Sequence, residues 1–428
     1  MKLLLKGGRV VSPGLGDVEA DVLVDNGMIA AIGAGLSPAG AQILEAAGLV
    51  IVPGLVDMHV HLREPGQEAK EDIVSGTRAA AAGGFTAVAT MANTRPPIDN
   101  AALVQSLQRR AELEGAVKVF VVGAVSKGQE GKELAEIGDM FAAGAVAVSD
   151  DGRHVRDARL FRLALEYAGM FGRPVISHAE DEDLAGEGLM HEGRVSAMLG
   201  MRGRPAVAED IAASRDIALA EYVQSLVHIA HVSTSGAVDA VRQAKRRGVR
   251  VTAEVTPHHL SLTDEELFGF NTAFKVNPPL RSANHIEALF KGIADGTIDA
   301  IASDHSPHAY EEKDVEFRYA PSGFAGLETS LGVVLTTLYH TGRAGLMDIV
   351  RLMSTNPCRI LGLEGGDISV GKPADLTVLD LDAAWTVEAG RMYTRGKATP
   401  FDGRRLKGRA VATIVAGKLV MRDGEVLV

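Results

Sequence analysis

The sequence predicts an α/β protein: a (β/α)8 TIM-type barrel carrying a small discontinuous β domain built from both chain ends. Three observations lead there. Between about Pro53 and Leu363, short apolar runs alternate with longer Ala- and Glu-rich helical stretches. Both flanks read instead as short-looped strands. The chain has 428 residues, too many for one minimal domain and enough for a barrel with an accessory domain. A doubly wound sheet is the alternative for such alternation, but eight apolar runs favour closure.

In chain order, the first element is a hairpin. Val22-Leu23-Val24 and Met28–Ile32 flank Asp25-Asn26-Gly27, where Asn-Gly supplies the positive φ values that a tight turn needs. The apolar runs are Leu55–His61, Phe85–Met91, Val117–Gly123, Ala145–Ser149, Pro174–His178, Leu226–His231, Val249–Val255 and Ile298–Ser303. Ala101–Glu114 and Val207–Tyr222 are helical intervals, too long for hairpin loops. Leu376–Leu379 and Ala412–Val415 are strands, with turns at Ala416-Gly417-Lys418 and Asp423-Gly424. Isolated hairpins are marginal alone, so the two ends are expected to pair into one β domain, 1–52 with 365–428, around a barrel at 53–364.

Composition excludes several classes. Hydrophobic residues are 46% and charged residues 23%, the balance of a globular chain. One cysteine, Cys358, cannot bridge within its chain and suits a reducing compartment. A net charge of −11 argues against a nucleic-acid surface. The apolar start Met1–Lys6 is too short for a signal peptide, and no run reaches a membrane span. A cytoplasmic protein without membrane or nucleic-acid partners is expected.

Strands buried on both faces should be apolar throughout, so polar residues at their ends carry information. The first run ends in His59-Val60-His61-Leu62-Arg63, and Asn93 follows the second. The fourth ends at Asp150-Asp151, the fifth at His178, the sixth at His231 and the eighth at Asp304. In such barrels the C-terminal strand ends face one mouth, where the chemistry sits. His59 and His61, two apart on a strand, share a face. A lone His-x-His pair is a weak signal; joined by two histidines and two aspartates on other strand ends, it reads as a metal site suited to zinc, with manganese or cobalt as substitutes.

These segments resemble the dihydroorotases of the amidohydrolase superfamily, in the long bacterial-type class. Asp57–Gly66 is similar to the first signature of that family and Ala302–His308 to the second. Met91–Thr94, Ser149–Gly152, Lys275–Arg281 and Gly326–Thr329 match further family segments. The resemblance implies one zinc on His59 and His61, completed by Asp304, and a second on His178 and His231. Related amidohydrolases bridge their metals with a carbamylated lysine, and no lysine lies between Lys132 and Lys245. The resemblance makes Asp151 the bridge if two zinc ions bind; Asp150, on the opposite face, is the lesser choice. It also implies substrate contacts at His61, Arg63, Asn93, Asn277, His308, Ser322 and Gly323. Ser322 departs from the family, which favours phenylalanine there, and Ala92 stands where proline is commoner.

Plainer readings stand beside these. Arg63 alone would be a surface ion-pair partner, and Asn93 and Asn277 alone would be turn caps before proline pairs. His258 and His259 follow the seventh strand, where the family takes no ligand, and read as structural; His305 should face away from Asp304. Cys358 reads as a small buried residue on a late helix. Zinc acidifies water and polarises a carbonyl, Asp304 can take and return a proton, and the planar fork of Arg63 suits a carboxylate. These residues alone support cyclic-amide hydrolysis; the resemblance supplies the ring and implies zinc-dependent, reversible cyclisation of N-carbamoyl-L-aspartate to dihydroorotate. The alternatives are another cyclic amidase of allantoinase or hydantoinase type, or a non-catalytic partner of aspartate transcarbamoylase. A homodimer and a complex with that transcarbamoylase are the protein partners to consider.

Overall fold

The computed structural model describes residues 2–37 and 40–428. The chain opens with β1 (Lys2–Ser12), β2 (Gly16–Asp25), β3 (Met28–Gly33), β4 (Gln42–Glu45) and β5 (Val50–Pro53). The β2–β3 hairpin turns at Asn26 and Gly27, with φ of 48° and 82°, as its Asn-Gly pair dictates.

The barrel strands are β6 (Leu55–Val60), β7 (Phe85–Thr90), β8 (Lys118–Gly123), β9 (Ala147–Ser149) and β10 (Val175–Ser177). After a two-stranded excursion, β11 (Met190–His191) and β12 (Gly203–Arg204), come β13 (Val227–Ile229), β14 (Val251–Val255) and β15 (Ala300–Ile301). They pair in one sheet from β6 through to β15. The seam between its edges is bridged where His61 N donates to His305 O at 2.8 Å and Ser303 N donates to the Asp57 carboxylate at 3.1 Å. All eight predicted runs become strands, each shorter than predicted; on β6, β7, β10, β13 and β15 the mouth-side residues leave the ladder, and on the others the loss is at the opposite end.

Helices between strands cover the barrel. Ala101–Glu114 forms on the predicted residues, capped by Asn100, whose side chain accepts from Leu103 N. Val207–Val223 packs against the helices on either side of it, burying Ala212, Ala213 and Ile217. Cys358 is buried in the helix Asn356–Leu361, its thiol pushed up to about 12 by burial.

The chain ends with β16 (Leu376–Thr386), β17 (Arg405–Val415), β18 (Lys418–Arg422) and β19 (Glu425–Val426). Strands from both ends form one nine-stranded sheet, in which β16 pairs antiparallel with β5. Its core gathers Leu3, Val22, Ile51, Leu376 and Ile414. The step from β5 into β6 passes through Gly54, where a Cβ would meet Thr86 Oγ1 at 2.1 Å, so only glycine fits. Between β16 and β17 the chain travels to the barrel mouth. There Glu71 accepts from Thr394 Oγ1 and Arg395 N and lies 3.3 Å from His305 Nε2.

No described helix is long and apolar enough to cross a membrane.

Candidate metal centre and active site

Five strand ends bring the predicted donors to one buried point. His59 is fully buried within β6, and His61 follows its end; their rings lie 5.4 Å apart. Asp151, His178, His231 and Asp304 follow β9, β10, β13 and β15. His231 and Asp304 carry φ of 35° and 49°, a left-handed backbone that non-glycine residues adopt only when the surroundings hold them there. Asp150 turns the other way, accepting from Val125 N at 2.8 Å and Ser126 N at 3.1 Å.

Asp151 stands at the centre. Its Oδ1 lies 3.4 Å from His59 Nε2, 3.4 Å from His231 Nε2 and 3.6 Å from His178 Nδ1; its Oδ2 lies 3.5 Å from His61 Nε2. Asp304 Oδ1 is 3.1 Å from His61 Nε2 and 3.7 Å from His59 Nε2. Two trios of donors able to hold a metal ion result, His59–His61–Asp151 and Asp151–His178–His231, sharing Asp151. The fit to metal rests on more than proximity. His59 Nε2 and Asp151 Oδ1 are buried without a hydrogen-bond partner, and a buried polar atom is normally satisfied. Imidazole nitrogens and carboxylate oxygens are the donors that zinc takes.

The neighbours of these donors set their tautomers. Glu254, from β14, accepts from His59 Nδ1 at 2.6 Å, and Asn93 Oδ1 accepts from His61 Nδ1 at 2.8 Å. With hydrogen on Nδ1, each ring turns an Nε2 lone pair toward Asp151, the orientation a ligand needs. Burial alone would raise the Asp151 carboxyl, but the surrounding histidines, His59 foremost, hold it well below the usual carboxylate range. Glu254 is likewise held down at about 2 against its burial, by His59 and His228.

A cavity of about 220 Å³ opens over this centre. On its wall stand His61, Arg63, Asn93, Asp151, His178, His231, Asn277, Asp304, His308, Ser322 and Gly323; of the predicted site residues only His59 lies beneath. Arg63 is 7% exposed, and its guanidinium donates to Ser306 Oγ at 2.6 Å and Pro307 O at 3.2 Å. Burial pushes Arg63 down to about 10, still charged at neutral pH. His308 lies 3.4 Å from Arg63 and 2.9 Å from Ser322 O, and burial beside Arg63 holds it near 3, hence neutral. A larger cavity of about 550 Å³ opens between β16–β17 and the helix Leu327–Val334, beside Glu328. It collects none of the metal-donor residues, so size does not mark the site.

The histidines after the seventh strand sit apart from the two donor trios, although His258 Nε2, too, is buried without a hydrogen-bond partner. His259 Nδ1 pairs with Thr256 Oγ1 at 2.7 Å and its Nε2 with Pro278 O at 3.0 Å, while His258 packs on the Phe324 ring. His305 Nδ1 accepts from Gly326 N at 3.1 Å, away from the centre.

Sequence reasoning missed three groups. Glu254 had a signal, a charge inside an apolar strand. The pair Glu180–Arg204 had none: Arg204 Nη1 donates to Glu180 Oε1 at 3.0 Å and Asn277 Oδ1 at 2.6 Å from the distant β12. Ser306 lies inside the second signature but was not singled out.

Comparison with known proteins agrees with this geometry. The Amidohydrolase family model matches residues 339–421, and the Dihydro-orotase-like model matches residues 48–237. The L-hydantoinase (dihydropyrimidinase) of Arthrobacter aurescens superposes with a TM-score of 0.89 at 29% identity, covering 100% of this chain and 97% of its own. Fold and site thus define an amidohydrolase, a metal-dependent hydrolase fold acting on cyclic amides. A dihydroorotase of Pelotomaculum thermopropionicum is 55% identical over 99% of both chains, and one of Pelobacter propionicus is 54% identical over 99% of this chain and 100% of its own. The chain belongs to the dihydroorotase family.

Proposed function

We propose that this protein interconverts N-carbamoyl-L-aspartate and (S)-dihydroorotate plus water, reversibly and with zinc, in de novo pyrimidine (UMP) biosynthesis. The observation that carries the reading is the buried, charged Arg63 facing the same 220 Å³ cavity as the two donor trios. A carboxylate on the ring is what such a guanidinium would grip.

His59, His61 and Asp304 would hold one zinc and His178 and His231 a second, with Asp151 shared. Bound there, zinc supplies a Lewis acid that polarises an amide carbonyl and acidifies water. Asp304 reaches over the cavity edge with Oδ1 against His61 and would take a proton from the attacking water, then return it to the departing nitrogen. Arg63 would fix the carboxylate, with Asn93 and His308 adding hydrogen bonds. Asn277, its amide oxygen fixed by Arg204, would face the ring from the opposite wall. Ser322 and Gly323 would offer main-chain contacts, for which a serine side chain in place of phenylalanine is no obstacle.

On this reading the catalytic unit is the barrel, 53–364, and residues 1–52 and 365–428 form its β companion. The enzyme would work in the cytoplasm, and the family resemblance makes a homodimer and a complex with aspartate transcarbamoylase the assemblies to test by sedimentation. The deciding experiment measures zinc content together with turnover of dihydroorotate, allantoin and hydantoin. Preference for dihydroorotate is expected. Faster turnover of hydantoin or allantoin by the zinc-loaded protein would replace this reading with the corresponding cyclic amidase.

A further inference from the structure

Two lysines beside the cavity are buried without an acid. Lys275 is 7% exposed and Lys313 6%, and neither forms an ion pair with a carboxylate among the described residues. Main-chain carbonyls take their hydrogens instead. Lys275 Nζ donates to Phe317 O at 2.8 Å and Arg318 O at 3.0 Å; Lys313 Nζ donates to Pro321 O at 2.8 Å and Thr272 O at 3.1 Å. The Phe317 ring, 5.3 Å from Lys275 Nζ, adds a π face. Burying a cation is costly unless something compensates it, and burial pushes these ammoniums down to about 8 and about 7.

The geometry of the cost is informative. The segment after β14 and the loop at 313–323 are fastened to each other at both ends. Thr272 Oγ1 donates to Lys313 O at 2.6 Å, and Gly323 N donates to Lys275 O at 2.9 Å. Between these ties the ammoniums hold Phe317, Arg318 and Pro321 by their carbonyls. What the fastened loop delivers to the cavity is Ser322, whose carbonyl meets His308, and Gly323. A Cβ on Gly323 would meet Ser306 O at 2.6 Å, so the loop's main chain runs close along the wall on which Arg63 lies.

We propose that Lys275 and Lys313 are positioning residues for substrate binding: each reaches through a main-chain carbonyl to hold the loop 317–323 where Ser322 and Gly323 can meet the substrate. This rests on the reading of Ser322 and Gly323 as substrate contacts. Neither lysine touches the metal donors, so loss of either should weaken binding and leave the chemical step alone.

The test combines hydrogen exchange on the full-length, zinc-loaded protein with steady-state kinetics, for Lys313→Met and Lys275→Met separately. Dihydroorotate should slow exchange of the 315–324 amides in the unsubstituted protein. Each variant should speed that exchange and raise KM for dihydroorotate by roughly tenfold, with kcat within about twofold and zinc content unchanged. If Lys313→Met does not fold, Lys275→Met carries the same expectation from the other tie. Ligand protection of the loop with unchanged exchange and KM in the variants would overturn the proposal alone. No ligand protection in the unsubstituted protein would remove the contact reading on which it stands. A fall in kcat with KM unchanged would also overturn it, since loop position would then serve the chemical step.

Discussion

Arg63 is the sharpest test of what the cavity is for. Its guanidinium is buried, charged, and meets only neutral partners among the described residues: Ser306 Oγ, Pro307 O and, at 3.4 Å, His308 Nε2. A planar five-donor group with that few partners has hydrogens to spare for a substrate carboxylate. Arg63→Met removes two things. One is the pair of internal bonds, whose loss would loosen the loop after β15 for any substrate. The other is the charge-assisted grip, worth about 2–5 kcal/mol in a desolvated site, or roughly 30-fold to several thousand-fold in catalytic efficiency. Comparing two rings separates them. kcat/KM on dihydroorotate should fall by about 30-fold or more, whereas weak hydrolysis of dihydrouracil, which has no carboxylate, should fall only by the internal share. Arg63→Lys should rescue part of the loss, because a point charge replaces the fork. Zinc content measured on the same samples removes metal loss as a cause. Equal losses on both rings would mean that Arg63 serves the loop, and the carboxylate argument for dihydroorotate would fall.

Other substitutions probe the centre and the fold. Asp304→Asn should cost at least about 100-fold in both reaction directions with zinc retained, as expected of a lost general acid–base; a near-normal rate would take the proton away from Asp304. Chelation should abolish turnover while circular dichroism stays close to that of the loaded protein, since the barrel core is apolar and does not depend on metal; full activity in verified metal-free protein would end the hydrolase mechanism. Glu328 gives a pH signature. Burial raises its carboxyl from 4.5 to about 8 while Oε1 accepts from Tyr393 N and Thr394 N. The folded state therefore keeps a proton that the unfolded chain releases, so the contribution of Glu328 to stability is full below about pH 4.5 and is lost as pH rises through about 8. Glu328→Gln keeps the accepting oxygen and cannot ionise, so its Tm should vary less than that of the parent between pH 5 and 8; parallel curves would show that Glu328 is ionised in the fold.

Most of the site was legible because a barrel converts sequence position into location. Each strand end is an address at one mouth, so His59, His178, His231 and Asp304, far apart in the chain, could be assigned to one place by counting runs. The resemblance chose Asp151 over Asp150, and although both pairs, Asp150–Asp151 and Asp304–His305, lie beyond their strands, their side chains do part as alternation suggests. What sequence position could not convey was the support behind the donors. Glu254, next to the end of β14, stands out as a charge, but that its partner is His59 on β6 follows only from the folded barrel. Arg204 arrives on a two-residue strand inside a loop excursion, below the length at which any periodicity registers. The lysines at 275 and 313 look in sequence like ordinary solvent-facing charges, and only the fold shows that their heads are turned inward onto carbonyls.

The path between β16 and β17 has a consequence for biosynthesis. Asp304, the last in chain order of the side chains proposed to hold metal, leaves the ribosome well before Thr394 and Arg395. Yet Glu71, which lies against His305 and accepts from its near neighbours Asp72 and Ser75, also accepts from Thr394 and Arg395. The edge of β5 that β16 covers likewise stays open until residues 376–379 emerge. A nascent chain stalled after the barrel therefore has its metal donors but lacks the brace at its eighth strand end and exposes an unpaired strand edge. Completion of the mouth waits for Thr394 and Arg395, and the interval before they emerge is when the unfinished chain is most exposed to mispairing.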